Sequence, residues 1–197
     1  MNVLRDELVK ITKENHEDAC YCPWSKLNLV FNESNVKEAI KESNIQPYQQ
    51  AEAVESILRG GKRIFATLIY IKSTSSIVKF MERDHLQHQP LDARLPYRKT
   101  ELVSILGETE GALFYHSQWM VSAPVFHADL SHRSFDRAVV LPFILDKMID
   151  SGAYGDVYET TIDPEHQLDA AGSDLSSVRS LAYYIVVNRT EFISIGF

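Results

Sequence analysis

The sequence has few cysteines and no long apolar run. Its 197 residues include only two cysteines, Cys20 and Cys22, and the single residue between them would strain a disulfide. So few thiols in a chain of this length are typical of a reducing compartment. The first 17 residues form a charged amphipathic pattern rather than a secretory signal. We therefore expect the protein in the cytoplasm or nucleus.

The sequence also has no long run of lysine and arginine residues. The formal net charge is -7, and an acidic chain of this kind is poorly suited to lie along a phosphate backbone or an anionic membrane. The most apolar stretch, Ile64 to Ile71, is far shorter than the roughly 20 residues that cross a bilayer. We expect neither a nucleic acid nor a membrane as partner.

Helical periodicity dominates the first part of the chain. Apolar residues at helical spacing predict helices over residues 1 to about 17, over Tyr48 to Arg59 and over 101–120. Asn35, followed three residues later by Glu38, resembles a capping box and predicts a helix start.

The segment from Lys62 to Ile71 is apolar almost all round, which is typical of a buried helix.

Around Val139 the pattern changes from helical to extended. The apolar residues from Val139 to Phe143 and the alternating apolar residues from Gly152 to Ile162 predict short strands joined by a tight turn, and Leu181 to Val187 predicts a third strand. We therefore predict an α+β fold, with a helical domain over residues 1–135 and a short antiparallel β segment over 136–197.

The turn near Gly152 has a pattern that carries chemistry. Protein kinases place G-x-G-x-x-G-x-V between their first two strands, where glycines let backbone N–H groups close over the ATP phosphates. Gly152 and Gly155 match the second and third glycines, and Asp150 replaces the first. By itself the motif is equally compatible with an ordinary β-turn. The predicted nucleotide contacts are Gly152, Ala153, Tyr154, Gly155 and Val157.

Several blocks accompany this turn, in a fixed order. They are Lys62-Arg-Ile-Phe-Ala-Thr-Leu-Ile-Tyr-Ile71, Ile77-Val-Lys-Phe80, Phe114-Tyr-His-Ser-Gln-Trp119, Ala123-Pro-Val-Phe126, Leu141-Pro-Phe143 and Ile162-Asp-Pro-Glu-His166. Together they resemble fungal protein-kinase-like proteins, in which a helical region precedes a serine/threonine-kinase-like domain. The resemblance spans about residues 20 to 166. It implies an ATP-binding N-lobe that opens near Leu141, with a polar insertion after its second strand.

The chain departs from that pattern at the groups that transfer phosphate. A kinase needs a lysine on its third strand, a catalytic-loop aspartate and a magnesium-binding aspartate. No lysine follows Lys147, and the best-aligned position is Asn188, with Arg189 beside it; arginine differs from lysine in reach and geometry. No catalytic loop occurs before Phe197. The resemblance therefore implies a truncated, inactive N-lobe that contacts ATP weakly and holds no metal.

Two groups of residues have spacings that suggest a metal. Cys20 and Cys22 lie near His16, and His85 is followed three residues later by His88. Neither group supplies the four ligands of a structural zinc site. We interpret the first as ordinary thiols and the second as part of a solvated loop.

The alternative function is a non-catalytic module. In this interpretation the helical region binds a protein partner, and the apolar helix from Ile64 to Ile71 and Trp119 are the residues that motivate it. For Trp119 and Phe126, core packing is the favoured explanation, because apolar residues flank them regularly.

Overall fold

The computed structural model describes residues 2–84, 89–127, 133–136, 138–152, 155–168, 182–187 and 192–196. Helices and mostly antiparallel strands occur in these residues, which confirms the predicted α+β class. The chain divides into two compact units. The helical unit comprises Met1–Thr12 and Trp24–Ser122, and the sheet unit comprises Lys13–Pro23 and Ala123–Phe197. We call the segment Lys13–Pro23 the arm.

This division differs from the single boundary that the sequence predicted after residue 135. The chain passes into the sheet unit at Lys13, returns at Trp24 and enters it again at Ala123. The arm belongs to the sheet unit because its backbone and side chains bond to residues more than a hundred positions later, as described below.

The helical unit contains eight α-helices within the described residues. They are α1 Asn2–Ile11, α2 Trp24–Val30, α3 Glu33–Glu42, α4 Pro47–Gly60, α5 Lys62–Tyr70, α6 Ile77–Asp84, α7 Lys99–Leu106 and α8 Glu108–Ser117. The helix predicted from Tyr48 to Arg59 is α4, and the apolar segment predicted as a buried helix is α5. Every helix in the described part of the chain is too short or too polar to cross a lipid bilayer.

The core of the helical unit is built around α5. Six successive residues of this helix, from Ile64 to Ile69, are buried, which confirms the predicted buried helix. Its first turn has no side-chain cap at Gly61. Instead, Asp92 accepts hydrogen bonds of 2.9 Å from the backbone N–H groups of both Arg63 and Ile64. A carboxylate there satisfies N–H groups that have no partner within the helix and complements the helix dipole.

Helix boundaries differ from the prediction at α1 and α3. The first helix ends at Ile11 rather than near residue 17, since the Asn15 side chain accepts hydrogen bonds from the N–H groups of Glu17 and Ala19, both at 2.9 Å. Such local bonds compete with helix formation. The predicted start at Asn35 is also wrong: Asn32 is the N-cap of α3, and its side chain accepts the N–H of Asn35 at 3.1 Å.

The single helix predicted over 101–120 is two helices, α7 and α8. They are divided at Gly107, whose φ of 88° is a backbone conformation that glycine adopts without steric cost. The two helices pack closely at Gly111, where a Cβ would lie 2.8 Å from backbone atoms of Leu102.

The sheet unit contains short strands from both of its segments. They are β1 Lys13–Glu14, β2 Cys20–Tyr21, β3 Phe126–His127, β4 Arg133–Asp136, β5 Phe143–Gly152, β6 Gly155–Ile162, β7 Gln167–Leu168, β8 Ala182–Val187 and β9 Phe192–Gly196. Strands β1 and β2 form an antiparallel pair within the arm, and β3 pairs with β7 in parallel. The main sheet is antiparallel, with the order β4-β9-β8-β6-β5. The predicted third strand is β8.

The apolar core of the sheet unit lies where β5 begins and β6 ends. Phe143 and Ile162 pair across the two strands, and both are buried with Phe126 and Leu141. The rings of Phe126 and Phe143 lie 6.2 Å apart. This cluster fixes the base of the β5–β6 hairpin, and the opposite end of the hairpin is the predicted glycine turn.

Candidate functional site

The predicted glycine turn is the tip of the β5–β6 hairpin. Gly152 and Gly155 are opposite each other in the strand register, with two residues between them. Two-residue connections favour glycine at their two central positions, whereas Gly152 and Gly155 flank the connection. Ala153 and Tyr154 lie outside the described residues. The backbone of Val157 pairs with Asp150 in β5 and with Val186 in β8.

A β-bulge precedes this turn. The register shifts between Met148 and Asp150, so Ile149 is the extra residue of β5. Bulges change the direction in which following side chains point. Asp150 is exposed, and its Oδ1 accepts a hydrogen bond of 2.8 Å from the backbone N–H of Ser151. A carboxylate therefore binds a backbone N–H where the kinase motif has its first glycine.

The charge near the turn is negative. Residues 146–159 include four acidic side chains and one lysine. Lys147 is paired across the strands with Glu159. A phosphate that approaches the turn meets like charge on the hairpin, which weakens its binding.

The base of the hairpin holds a cluster of charged and polar residues that we call the Asp163 cluster. Asp163 directly follows β6, and its side chain is 2% exposed. It accepts hydrogen bonds from Lys13 Nζ at 2.8 Å and from the Tyr21 hydroxyl at 2.7 Å. The members of the cluster are Lys13, Tyr21, Asp163, Glu165 and His166.

Two further bonds close the cluster. The backbone N–H of Glu165 donates to Asp163 Oδ1 at 3.0 Å, and Lys13 Nζ lies 2.6 Å from Glu165 Oε2. Lys13 and Tyr21 are contributed by the arm, so these contacts attach the arm to the end of β6. One buried carboxylate thus binds two side chains that are 150 and 142 residues away in sequence.

The protonation states in the cluster follow from these contacts. Burial opposes ionisation of Asp163, but the hydrogen bonds from Lys13 and Tyr21 outweigh it and lower the pKa of Asp163. Burial also opposes the charge on Lys13, yet its bonds to Asp163 and Glu165 raise the pKa of Lys13. Burial, followed by the hydrogen bond to Asp163, raises the pKa of Tyr21 far above its ordinary value. At neutral pH, Asp163 and Lys13 are therefore charged and Tyr21 is neutral.

His166 is a neutral member of the cluster. Its Nδ1 lies 2.9 Å from the carbonyl oxygen of Pro124, and because a carbonyl only accepts, Nδ1 carries the proton. Burial lowers the pKa of His166. Its ring contacts the edge of the Tyr21 ring, with 5.3 Å between centroids. These contacts make His166 a packing residue that supports Tyr21.

The arm also bonds to the start of β5. Asn15 Nδ2 donates to the carbonyl oxygen of Leu141 at 3.0 Å, and the N–H of His16 donates to that of Phe143 at 3.0 Å. The N–H of Asp163 donates to the carbonyl oxygen of Pro142 at 2.8 Å. Both strands of the hairpin are therefore fixed at the base, roughly 23 Å along β6 from the turn.

The sequence contained a local signal for part of this cluster. Asp163 precedes Pro164, and the Asp163 side chain caps the short 3₁₀ helix Pro164–His166, which the preference for Asp before Pro at a helix start predicts. Its long-range partners, Lys13 and Tyr21, have no such signal.

The cysteines with a spacing that suggests a metal form no second candidate site among the described residues. Cys20 and Cys22 are free thiols, exposed and buried respectively. Burial, with the nearby charge of Glu165, raises the pKa of Cys22 to about 12, so this thiol is unreactive at neutral pH. Among the described residues, no three His, Cys, Asp or Glu side chains are grouped in a way that would hold a metal ion. His85, His88, Asn188 and Arg189 lie outside the described residues.

Comparison with known proteins found no relative. No protein-family model matches the chain, and no curated protein or solved structure is significantly similar to it.

Proposed function

We propose that the sheet unit is a kinase-like nucleotide-contact hairpin, whose glycine turn binds the phosphates of ATP weakly and without phosphoryl transfer. The observation that carries the proposal is the pairing of Gly152 with Gly155 across a two-residue connection at the tip of β5 and β6. Glycine has no Cβ, so neither of these residues has a side chain that would obstruct a phosphate approaching the backbone of the turn.

The strand order supports this proposal. β6 lies between β5 and β8, and both pairings are antiparallel. In the kinase pattern, the strand after the glycine hairpin supplies the lysine that binds the α- and β-phosphates. The sequence of β8 is AYYIVV, without a lysine. We therefore expect binding through backbone groups alone, with an affinity too low to position ATP for transfer.

The contacts of the arm at the base of the β5–β6 hairpin support the proposal as well. A one-residue slip of β5 against β6 would reverse the faces of the hairpin side chains. Contacts from the arm to Leu141, Phe143 and Asp163 hold both strands in register at the base. The turn is consequently presented in one register.

A binding titration on the full chain tests the proposal. We expect saturable binding of magnesium ATP with a millimolar dissociation constant in equilibrium dialysis. Gly155→Asp should abolish it, because a Cβ and a negative charge are added at the turn. The matched control is Met148→Asp, which adds the same charge to the same hairpin at a residue that is 56% exposed.

The two variants separate the possible outcomes. If Met148→Asp keeps the native affinity while Gly155→Asp loses binding, the turn is the site. Absence of saturable binding by the native chain at several millimolar ATP contradicts the proposal. An equal loss in both variants also contradicts it, since the effect would then be one of overall charge.

The burial of the residues that motivated a protein-binding role weakens the argument for that role of the helical unit. The segment that motivated it is Ile64 to Ile71, of which Ile64 to Ile69 are buried and Tyr70 is exposed. Trp119 is partly buried and contacts the ring of Tyr115, with 6.2 Å between centroids. Packing within the unit explains both, and a protein partner stays a prediction from the sequence.

A further inference from the structure

The outer edge of β5 exposes apolar side chains. This strand is ten residues long and lies at one end of the main sheet, and within the described residues its strand pairing is with β6 alone. The arm contacts this edge at its start, where the N–H of His16 donates to the carbonyl oxygen of Phe143. Farther along the strand, Ile144, Met148 and Ile149 are 52%, 56% and 45% exposed. A strand edge of this kind is a template for another strand.

Two charged residues flank the apolar pair Met148 and Ile149. Lys147 is paired with residue 159 of β6, and Asp150 is paired with residue 157. Because those two residues are two positions apart on β6, Lys147 and Asp150 lie on the same face of the sheet. Both side chains are exposed. The order along the edge is therefore one cation, two apolar residues and one anion.

This order is complementary to itself when two copies of β5 run in opposite directions. With a two-fold axis between Met148 and Ile149, each Met148 lies opposite the Ile149 of the other copy. Each Lys147 then lies opposite an Asp150. Residues opposed in this way have Cβ atoms about 4.5 to 5.5 Å apart, which is close enough for an ion pair. An axis through Lys147 would instead place two lysines opposite each other.

The bulge in β5 favours a second copy of this strand over an unrelated strand. β5 has one residue more than β6 between Met148 and Asp150, and an edge bulge disfavours pairing with a regular strand. A second β5 contains the same extra residue. The number of residues from Lys147 to Asp150 is therefore equal in both strands, so the charges at both ends of the segment are opposed in one register.

We propose that the edge of β5 from Lys147 to Asp150 is the contact surface of a symmetric dimer of this chain, formed by antiparallel pairing of two β5 strands. The inference is independent of the proposed nucleotide contact. Two ion pairs between Lys147 and Asp150, one on each side of the axis, set the register. Met148 and Ile149 are covered at the centre. Because the interface is symmetric, a single substitution alters it at two places.

Sedimentation velocity of the full chain tests the proposal. The native chain should show a reversible equilibrium between monomer and dimer over about 10 µM to 1 mM, as expected for a small interface. Lys147→Asp and Asp150→Lys should each weaken dimerisation at least about tenfold, because each substitution replaces two attractions by two repulsions. A native chain that is still monomeric at about 1 mM overturns the proposal.

The double variant Lys147→Asp with Asp150→Lys tests the register. It restores opposite charges across the axis in exchanged positions, so its association constant should return to within about threefold of the native value. Its net charge equals that of the native chain, so a recovery would not be an effect of net charge. Dimerisation as weak as that of the single variants would overturn the proposed pairing.

Lys37→Asp is the matched control. It makes the same change of charge at an exposed lysine of α3, whose side chain is paired with Glu33. This variant should dimerise as the native chain does. A loss equal to that of Lys147→Asp overturns the proposal, since net charge and not the edge of β5 would then determine association.

A measurement on the native chain does not depend on any substitution. Hydrogen exchange with mass spectrometry at about 10 µM and about 1 mM should show slower exchange in β5 at the higher concentration, with α4 unchanged. A dimer without added protection in β5 would have its interface elsewhere, which also overturns the proposal.

Discussion

The helical unit buries six successive residues of α5, whereas the sheet unit buries an aspartate and a tyrosine hydroxyl at the base of its hairpin. Each unit also contains an aspartate that accepts backbone N–H groups. Asp92 accepts the backbone N–H groups of Arg63 and Ile64, and burial raises the pKa of Asp92 despite these bonds and the nearby charges of Arg63 and Lys62. Asp163 receives an ammonium and a hydroxyl as well, and its pKa is lowered. The partners of a carboxylate, and not burial alone, decide the direction in which its pKa shifts.

This difference has a consequence for function. The helical unit depends mainly on apolar packing, which changes little with pH. The hairpin that ends in the glycine turn is instead stabilised by the charged Asp163 cluster, which attaches the arm to the end of β6. Changes to Asp163 should therefore act on the hairpin and leave α5 protected.

Asp163→Ala is expected to have the largest effect. It leaves the Tyr21 hydroxyl and the Lys13 ammonium without their shared acceptor, at a cost of about 2 to 3 kcal/mol to the sheet unit. Hydrogen exchange with mass spectrometry should show faster exchange in β5 and β6 than in the native chain, with α5 unchanged. Glu33→Gln, which breaks an exposed pair with Lys37, should change neither. Equal acceleration in α5 would contradict the comparison.

Asp92→Ala is expected to have the next largest effect, on the helical unit. Loss of the acceptor for the N–H groups of Arg63 and Ile64 should cost about 1 to 2 kcal/mol. Both tryptophans, Trp24 and Trp119, belong to this unit, so tryptophan fluorescence in a urea titration measures it.

Asp92→Asn provides the control for this prediction. It keeps one of the two oxygens that accept N–H groups and removes a charge whose burial is unfavourable, so it should lose less stability than Asp92→Ala. If both substitutions lose the same amount, the one hydrogen bond that asparagine keeps contributes no stability.

Acidification should destabilise the sheet unit more than the helical unit, and we expect this difference to be smaller than the effects of the two substitutions. The pKa of His166 is lowered, so its contribution is present above about 6.5, the ordinary value, and is lost as the pH falls. The pKa of Asp163 is lowered too, so its contribution disappears as the pH falls below about 3.9. The raised pKa of Asp92 has the opposite sign, because the folded carboxyl takes up a proton before the unfolded one does.

Amide hydrogen exchange measured over a pH series tests whether the sheet unit is destabilised before the helical unit. Between neutral pH and pH 3, peptides of β5 and β6 should lose protection before those of α5, after correction for the intrinsic pH dependence of exchange. Earlier loss in α5 would show that the signs assigned to Asp163 and Asp92 are wrong.

Elements set by local pattern were predictable from the sequence. The continuous apolar run of α5, the amphipathic spacing of α4 and the β-branched run of β8 each indicate their own conformation. The two glycines at residues 152 and 155 likewise indicate a tight turn. In these cases, a few neighbouring residues contain the whole physical reason for the structure.

Features that depend on distant partners were not predictable in this way. The helix predicted over residues 1 to about 17 includes the first part of the arm, because nothing in residues 13–23 shows that Lys13 and Tyr21 bind Asp163. The register shift of β5 at Ile149 exists only once β5 and β6 are paired. Pairing across 142 or more residues leaves no periodicity in the sequence.

The most direct test of the central claim is an NMR titration of the full chain with magnesium ATP, following the backbone amides of Gly152 and Gly155. We predict saturable chemical-shift changes at these two amides and at Ser151, with no change in α5. Amide signals at the turn that stay fixed up to several millimolar ATP would contradict the account.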